Sequence, residues 1–141
     1  MTYVAVEIRR QIIERAGGCC EYCLLSQNDV KFSFHFEHII AEKHKGPTSL
    51  NNLCLSCPTC NSYKGSDISS VDWDFSGEIV PLFNPRRQRW SDHFELSGAH
   101  IEPLTSEGRV TVFLLRLNEP ERLVERELLL LLDRYPCTPS T

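Results

Sequence analysis

The sequence predicts an α+β fold, and three observations carry that expectation. Residues 31–36 alternate strictly, with Phe32, Phe34 and Phe36 on one face and Ser33 and His35 on the other, as in a half-buried strand. Two Cys-x-x-Cys turns, Cys20-Glu-Tyr-Cys23 and Cys57-Pro-Thr-Cys60, bracket that strand. Helical patterns flank the whole at both ends of the chain.

The elements follow in order. Residues 4–16 are amphipathic, with Ile8, Ile12 and Ile13 on one face and Arg9, Arg10 and Glu14 away from it, and Gly17-Gly18 end the helix. The first Cys-x-x-Cys makes a tight knuckle. The strand at 31–36 delivers Glu37 and His38 at or near its end. Residues 41–51, with Gly46-Pro47, read as a loop, and Asn52 to Ser56 as a short return strand. The second knuckle opens a short helix through Asn61 and Lys64, which Gly65 ends. Beyond it, Glu78 to Phe83 read as a strand and residues 94–103 as a hairpin about Ser97-Gly98. From Thr105, helical spacing of Val110, Phe113, Leu114 and Leu117 competes with a β-branched strand reading of 110–112. Asn118-Glu-Pro-Glu121 starts a last helix, with Asn118 as the cap, running to about Arg134 before Pro136. Its five consecutive leucines, 128–132, imply deep burial or a partner.

Composition bounds the class. At 141 residues, with 41% hydrophobic and 24% charged residues, one soluble domain is expected over 1–141. No apolar run approaches the ~20 residues of a membrane helix. The N-terminus has no basic start followed by an apolar segment, so a cytoplasmic protein without membrane association is expected. In that compartment seven cysteines in paired knuckles point to metal rather than disulfides. The net charge of −4 counts against binding nucleic acid by bulk attraction. The charge is uneven, however. Residues 1–70 hold seven basic and seven acidic side chains, and residues 71–141 eight and twelve.

Two knuckles present four thiolates, the ligand set of a tetrahedral structural zinc: Cys20, Cys23, Cys57 and Cys60. Cys54-Leu-Ser-Cys57 is an alternative Cys-x-x-Cys and Cys19 abuts Cys20; Pro58 favours the 57/60 pair. Cys137 reads as an incidental thiol. Glu37-His38 joins a carboxylate suited to a hard cation with a histidine able to activate water, the pairing that phosphodiester hydrolysis needs. Asn52 and Asn61 follow His38 at intervals of fourteen and nine residues. Lys64 shares the short helix with Asn61 and is a candidate phosphate contact. Arg86-Arg87-Gln-Arg89-Trp90 reads equally as a nucleic-acid contact or a surface turn. His35 reads as a solvated strand residue, and His44, between Lys43 and Lys45, as exposed.

Cys20-x-x-Cys23, Glu37-His38-Ile-Ile, Asn52-Leu53 and Cys57-x-x-Cys60-Asn61-x-x-Lys64-Gly65 resemble the HNH endonuclease family, with its ββα-metal (His-Me finger) fold, in its zinc-braced subgroup. The resemblance covers about residues 15–66. A looser likeness over about 67–135, through Pro81 to Arg86, Trp90, His93-Phe94 and Gly108-Arg109, is to the C-terminal α/β extensions of bacterial, especially cyanobacterial, HNH proteins. The resemblance implies a metal-dependent endonuclease acting on nucleic acid, chiefly DNA. His38 matches the general base, Asn52 the residue that orients the base or steadies the loop, and Asn61 a ligand of a catalytic Mg²⁺ or Mn²⁺. Glu37 matches the other ligand of that cation, one methylene longer than the usual Asp. A non-catalytic zinc-finger module binding nucleic acid or protein is the competing class. It needs the zinc but not His38, Asn52 and Asn61 together. A homodimer through the leucine-rich helix is a further expectation.

Overall fold

The computed structural model describes residues 2–139. Helix α1 (Val6–Ala16) buries Ile12 and Ala16, and Gly17 closes it in the left-handed conformation at φ 62°, where a side chain would be strained. Strand β1 (His35–His38) pairs antiparallel with β2 (Leu53–Ser56), in the register His35–Ser56, Phe36–Leu55, Glu37–Cys54 and His38–Leu53. Helix α2 (Pro58–Lys64) follows at once, with Pro58 in its first turn and the Cys57 Sγ accepting from the Cys60 N–H. This β-β-α unit is the one the sequence implied.

The first strand lies further along the chain than the phenylalanine alternation indicates. Only His35 to His38 face a partner strand, because β2 ends where the second knuckle begins. Residues 31–34 therefore have no ladder, and the stripe breaks up. Phe34 is buried, Phe36 is partly buried and Phe32 is 69% exposed.

The remaining elements beyond α2 are two two-stranded sheets and three α-helices. Strands β3 (Ser69–Val71) and β4 (Ile79–Pro81) pair, as do β5 (Phe94–Ser97) and β6 (His100–Pro103), all antiparallel. The partner strand β3 carries no sequence signal of its own. One turn of helix, α3 (Trp90–His93), precedes β5. The segment after Thr105 is helical, α4 (Ser106–Leu114), with the Thr105 hydroxyl accepting from the Gly108 N–H.

The last helix, α5 (Pro120–Leu131), begins and ends differently from the expectation. Glu119, not Asn118, occupies the cap. The Asn118 side chain instead bonds both the N–H and the C=O of Ile101 on β6. The helix stops at Leu131, and Arg122 and Arg126, not the leucines, are its buried side chains. Leu128, Leu131 and Leu132 are exposed.

One cluster of buried side chains runs from Val4 through Cys20, Leu53 and Phe94 to Tyr135, so the C-terminal segment packs on the β-β-α unit. Cys137 is not an incidental thiol: it forms a disulfide with Cys19. Among the described residues no helix is long and apolar enough to cross a membrane.

Candidate metal centre and active site

Cys20, Cys23, Cys57 and Cys60 bring their Sγ atoms within 4.8 Å of one another, all fully buried. Cys23 and Cys57 Sγ stand 3.7 Å apart, close to the ~3.8 Å edge of a tetrahedron with ~2.3 Å zinc–sulfur bonds. In each knuckle a backbone N–H points back at the first sulfur, Cys23 at Cys20 and Cys60 at Cys57. The donor set and spacing fit zinc. Cys19 lies outside the cluster, in its disulfide, and Cys54 faces Glu37, so neither alternative pairing competes.

The extension completes this centre. Arg122 Nη2 donates to Cys60 Sγ at 3.0 Å and reaches Cys57 Sγ at 3.8 Å, while Nη1 donates to the Leu115 carbonyl at 2.7 Å. Burial opposes the guanidinium charge, but the sulfurs of Cys60, Cys23 and Cys57 outweigh it and hold its pKa above the ordinary value. The Tyr135 hydroxyl donates to the Cys23 carbonyl at 2.7 Å and the Trp90 indole to the Tyr22 carbonyl at 2.9 Å. Arg86 pairs with Glu21 and bonds the Leu53 carbonyl. Arg86 and Trp90 thus brace the first knuckle from within. Residues 85–87 do form a turn, on and beside which Arg87 and Arg89 are exposed.

Glu37 is 5% exposed. Its Oε2 accepts from the Tyr22 hydroxyl at 2.6 Å and from the Cys54 thiol at 3.5 Å, and lies 3.7 Å from Lys64 Nζ. Burial pushes the Glu37 carboxyl above its ordinary value, and Lys64, Tyr22 and Cys54 pull it back. Burial also holds the Tyr22 phenol well above its usual range, so it stays a donor. Oε1 of Glu37 is buried with no hydrogen-bond partner. An orphaned carboxylate oxygen is costly in a protein interior, and a cation is the partner that would satisfy it. Lys64 is not the phosphate contact its position implied. It is 1% exposed and donates to the Ile39 carbonyl at 2.8 Å.

His38 has a different set of partners, in the loop between β1 and β2. Its Nε2 lies 2.9 Å from Thr48 Oγ1 and 3.3 Å from Glu42 Oε1. Adjacent strand residues point to opposite faces, which separates Glu37 from His38. Asn52 fixes that loop, accepting from Ile40 N–H at 3.0 Å and donating to the carbonyls of Ile40 and Pro47 at 2.9 Å each. The loop closes so tightly that a Cβ at Gly46 would fall 1.7 Å from the Ile40 oxygen. His38, Glu37, Asn61 and His35 line one cleft of about 720 Å³ beside β1. His35 is thus a cleft residue as well as a strand residue. Tyr22, Thr48 and Arg122 escaped sequence reasoning, and Lys64 was expected in a different role. The one available signal was the placing of Tyr22 inside a knuckle, where its side chain must face the hairpin.

A β-hairpin and helix gripping a four-cysteine cluster that could hold zinc, with a histidine and a carboxylate on the first strand, define a ββα-type unit. Residues 20–67 match the family model described as HNH endonuclease, and the chain carries an HNH endonuclease domain over those residues. The chain is also similar to a Septu protein, PtuB, of Bacillus thuringiensis, at 26% identity over 125 residues, covering 87% of this chain and 46% of the relative. It therefore spans about half the length of that relative. No solved structure matches.

Proposed function

We propose that this protein is a metal-dependent endonuclease that hydrolyses phosphodiester bonds in DNA. The observation that carries the proposal is the cleft lined by His38, Asn61 and Glu37, whose carboxylate keeps one oxygen, Oε1, buried without a hydrogen-bond partner. Glu37 and Asn61 would hold Mg²⁺ or Mn²⁺, which when bound supplies charge stabilisation on the scissile phosphate and leaving oxygen. The chain supplies the rest. Glu42 and Thr48 engage His38 Nε2, which fixes the tautomer with a proton there and leaves Nδ1 to accept the proton of the attacking water. Asn52 holds the loop carrying Thr48 and so holds the base. Tyr22 and Lys64 oppose the effect of burial on the Glu37 carboxyl and turn it so that Oε2 is engaged and Oε1 is not. Zinc on Cys20, Cys23, Cys57 and Cys60 does no chemistry but fixes Tyr22 on one side and Asn61 on the other.

The core cluster spanning Val4 to Tyr135 supports a single domain over the chain. The likeness to PtuB supports a counterpart role in a Septu system. The exposed stripe of Val124, Leu128 and Leu131 on α5 supports a homodimer. Sedimentation shows this as a concentration-dependent doubling of mass, which an all-monomer profile would refute.

One observation favours the non-catalytic module: Lys64 already offsets the Glu37 charge at 3.7 Å and so weakens its pull on a cation. Supercoiled plasmid incubated with the protein and Mg²⁺ or Mn²⁺ separates the two. Cleavage is expected, and His38→Ala should lower its rate by about 100- to 10,000-fold with zinc content unchanged. Undiminished cleavage in that variant would sink the assignment of the base.

A further inference from the structure

The cleft holding His38 and Glu37 does not end at β1. Arg9, Phe34 and Phe36 line both it and a second cavity of about 490 Å³, so the two form one groove. Side chains along it alternate in character. Tyr3, 73% exposed, stands at the cleft, and Phe32, 69% exposed, at the far end beside exposed Lys31. Arg9 lies between them, its guanidinium over the Tyr3 ring at 5.7 Å and its Nε buried without a partner.

Charge follows the same path. Glu7, on the same helix as Arg9, is taken by Arg10. The acids of the cleft end are also engaged, Glu37 by Lys64 and Glu42 by His38. Among the described residues no carboxylate lines the second cavity, whereas Arg9 and Lys31 both do. Two outward-facing rings with cations between them suit a polyanion whose bases are unstacked, because every free base has a π-face to lay on a ring. A duplex hides those faces and is held through its phosphates, a mode that a net charge of −4 favours less.

We propose that this groove seats a single-stranded segment of nucleic acid leading into the cleft, with bases on Tyr3 and Phe32 and phosphates on Arg9 and Lys31. The proposal rests on reading the cleft as a nuclease site, but its test requires no cleavage. Fluorescence anisotropy of zinc-loaded full-length protein, without Mg²⁺ or Mn²⁺, would compare a labelled DNA strand, the same strand in duplex, and an RNA strand of equal sequence. Tight binding of one single strand or both supports the groove and shows which sugar it accepts. Single strand is expected to bind at least about tenfold tighter than duplex. Tyr3→Ala and Phe32→Ala should each weaken it ~5- to 100-fold with little change for duplex. Phe32→Trp should restore binding, which a change in fold would not allow. Equal affinity for duplex, or unchanged single-strand affinity in both alanine variants, overturns the proposal. Plasmid cleavage with no single-strand preference would remove the groove and leave the nuclease. Single-strand binding by a protein that never cleaves would remove the nuclease and leave the groove.

Discussion

Replacing Arg122 by methionine should loosen zinc by about 10- to 100-fold, because among the described residues the guanidinium is the one cation in contact with the sulfurs. Methionine keeps much of the stem volume and removes the donors. Two estimates of the loss agree. Nη2 on Cys60 Sγ at 3.0 Å is a hydrogen bond between charged groups in a buried site, of a kind worth ~1.5–3 kcal/mol. Second-contact groups around metal ligands change affinity by about 10- to 100-fold, or ~1.4–2.7 kcal/mol at 1.36 kcal/mol per decade. The longer contact to Cys57 at 3.8 Å adds little. The variant also leaves the Leu115 carbonyl without its donor, which lowers stability by ~1 kcal/mol whether or not metal is bound. Competition with a colorimetric chelator measures the zinc affinity apart from that stability loss. Arg122→Lys keeps the charge but loses the fork, and should fall between wild type and methionine. A zinc affinity for Arg122→Met within twofold of wild type would refute the view that α5 contributes to the metal centre.

Three side chains in or supporting the proposed active site give further expectations. Glu37 serves a cation only when ionised, and burial already raises its pKa, so activity is lost as pH falls through that raised value. Lys64 is the largest influence opposing that rise; Lys64→Met should therefore move the acid limb of the cleavage profile to higher pH, and coincident limbs would refute it. For folding the sign is reversed, since a raised carboxyl favours the folded state at low pH and that stability is lost as pH rises through its folded pKa. Asn52→Ala removes three hydrogen bonds from the loop and should cost ~2–4 kcal/mol, read from the denaturant midpoint at constant slope. A cost under ~0.5 kcal/mol would show that the loop holds itself.

The metal motifs were legible because they are local. A Cys-x-x-Cys turn places two sulfurs within four residues, and only the docking of one turn on the other is long-range. The first strand was legible in kind but not in place. Phenylalanine alternation is a local signal, whereas the ladder is set by β2, whose far end is cut off by Cys57. Asn118 illustrates the same limit, since its amide satisfies a strand edge at Ile101 in place of the helix start beside it. The leucine run obscured the role of α5. Its buried side chains are Arg122 and Arg126, with Leu129 packing partly on the core, and contacts reaching back more than sixty residues to a sulfur leave no periodic trace. Disulfide pairing of Cys19 with Cys137 was equally invisible across a separation of 118 residues.

That bridge closes residues 19–137 into a covalent ring, starting one residue before the first cysteine of the four-sulfur cluster. A protease cutting the exposed turn at 73–77 would leave two pieces still joined through Cys19–Cys137. The matched segment 20–67 cannot be lifted out as a cassette on the same grounds. Excised, it would lose Arg122 from its sulfurs, Trp90 and Tyr135 from its knuckle, and the ring that keeps its entry fixed. Grafts or minimal versions of this domain should therefore carry the last helix with them.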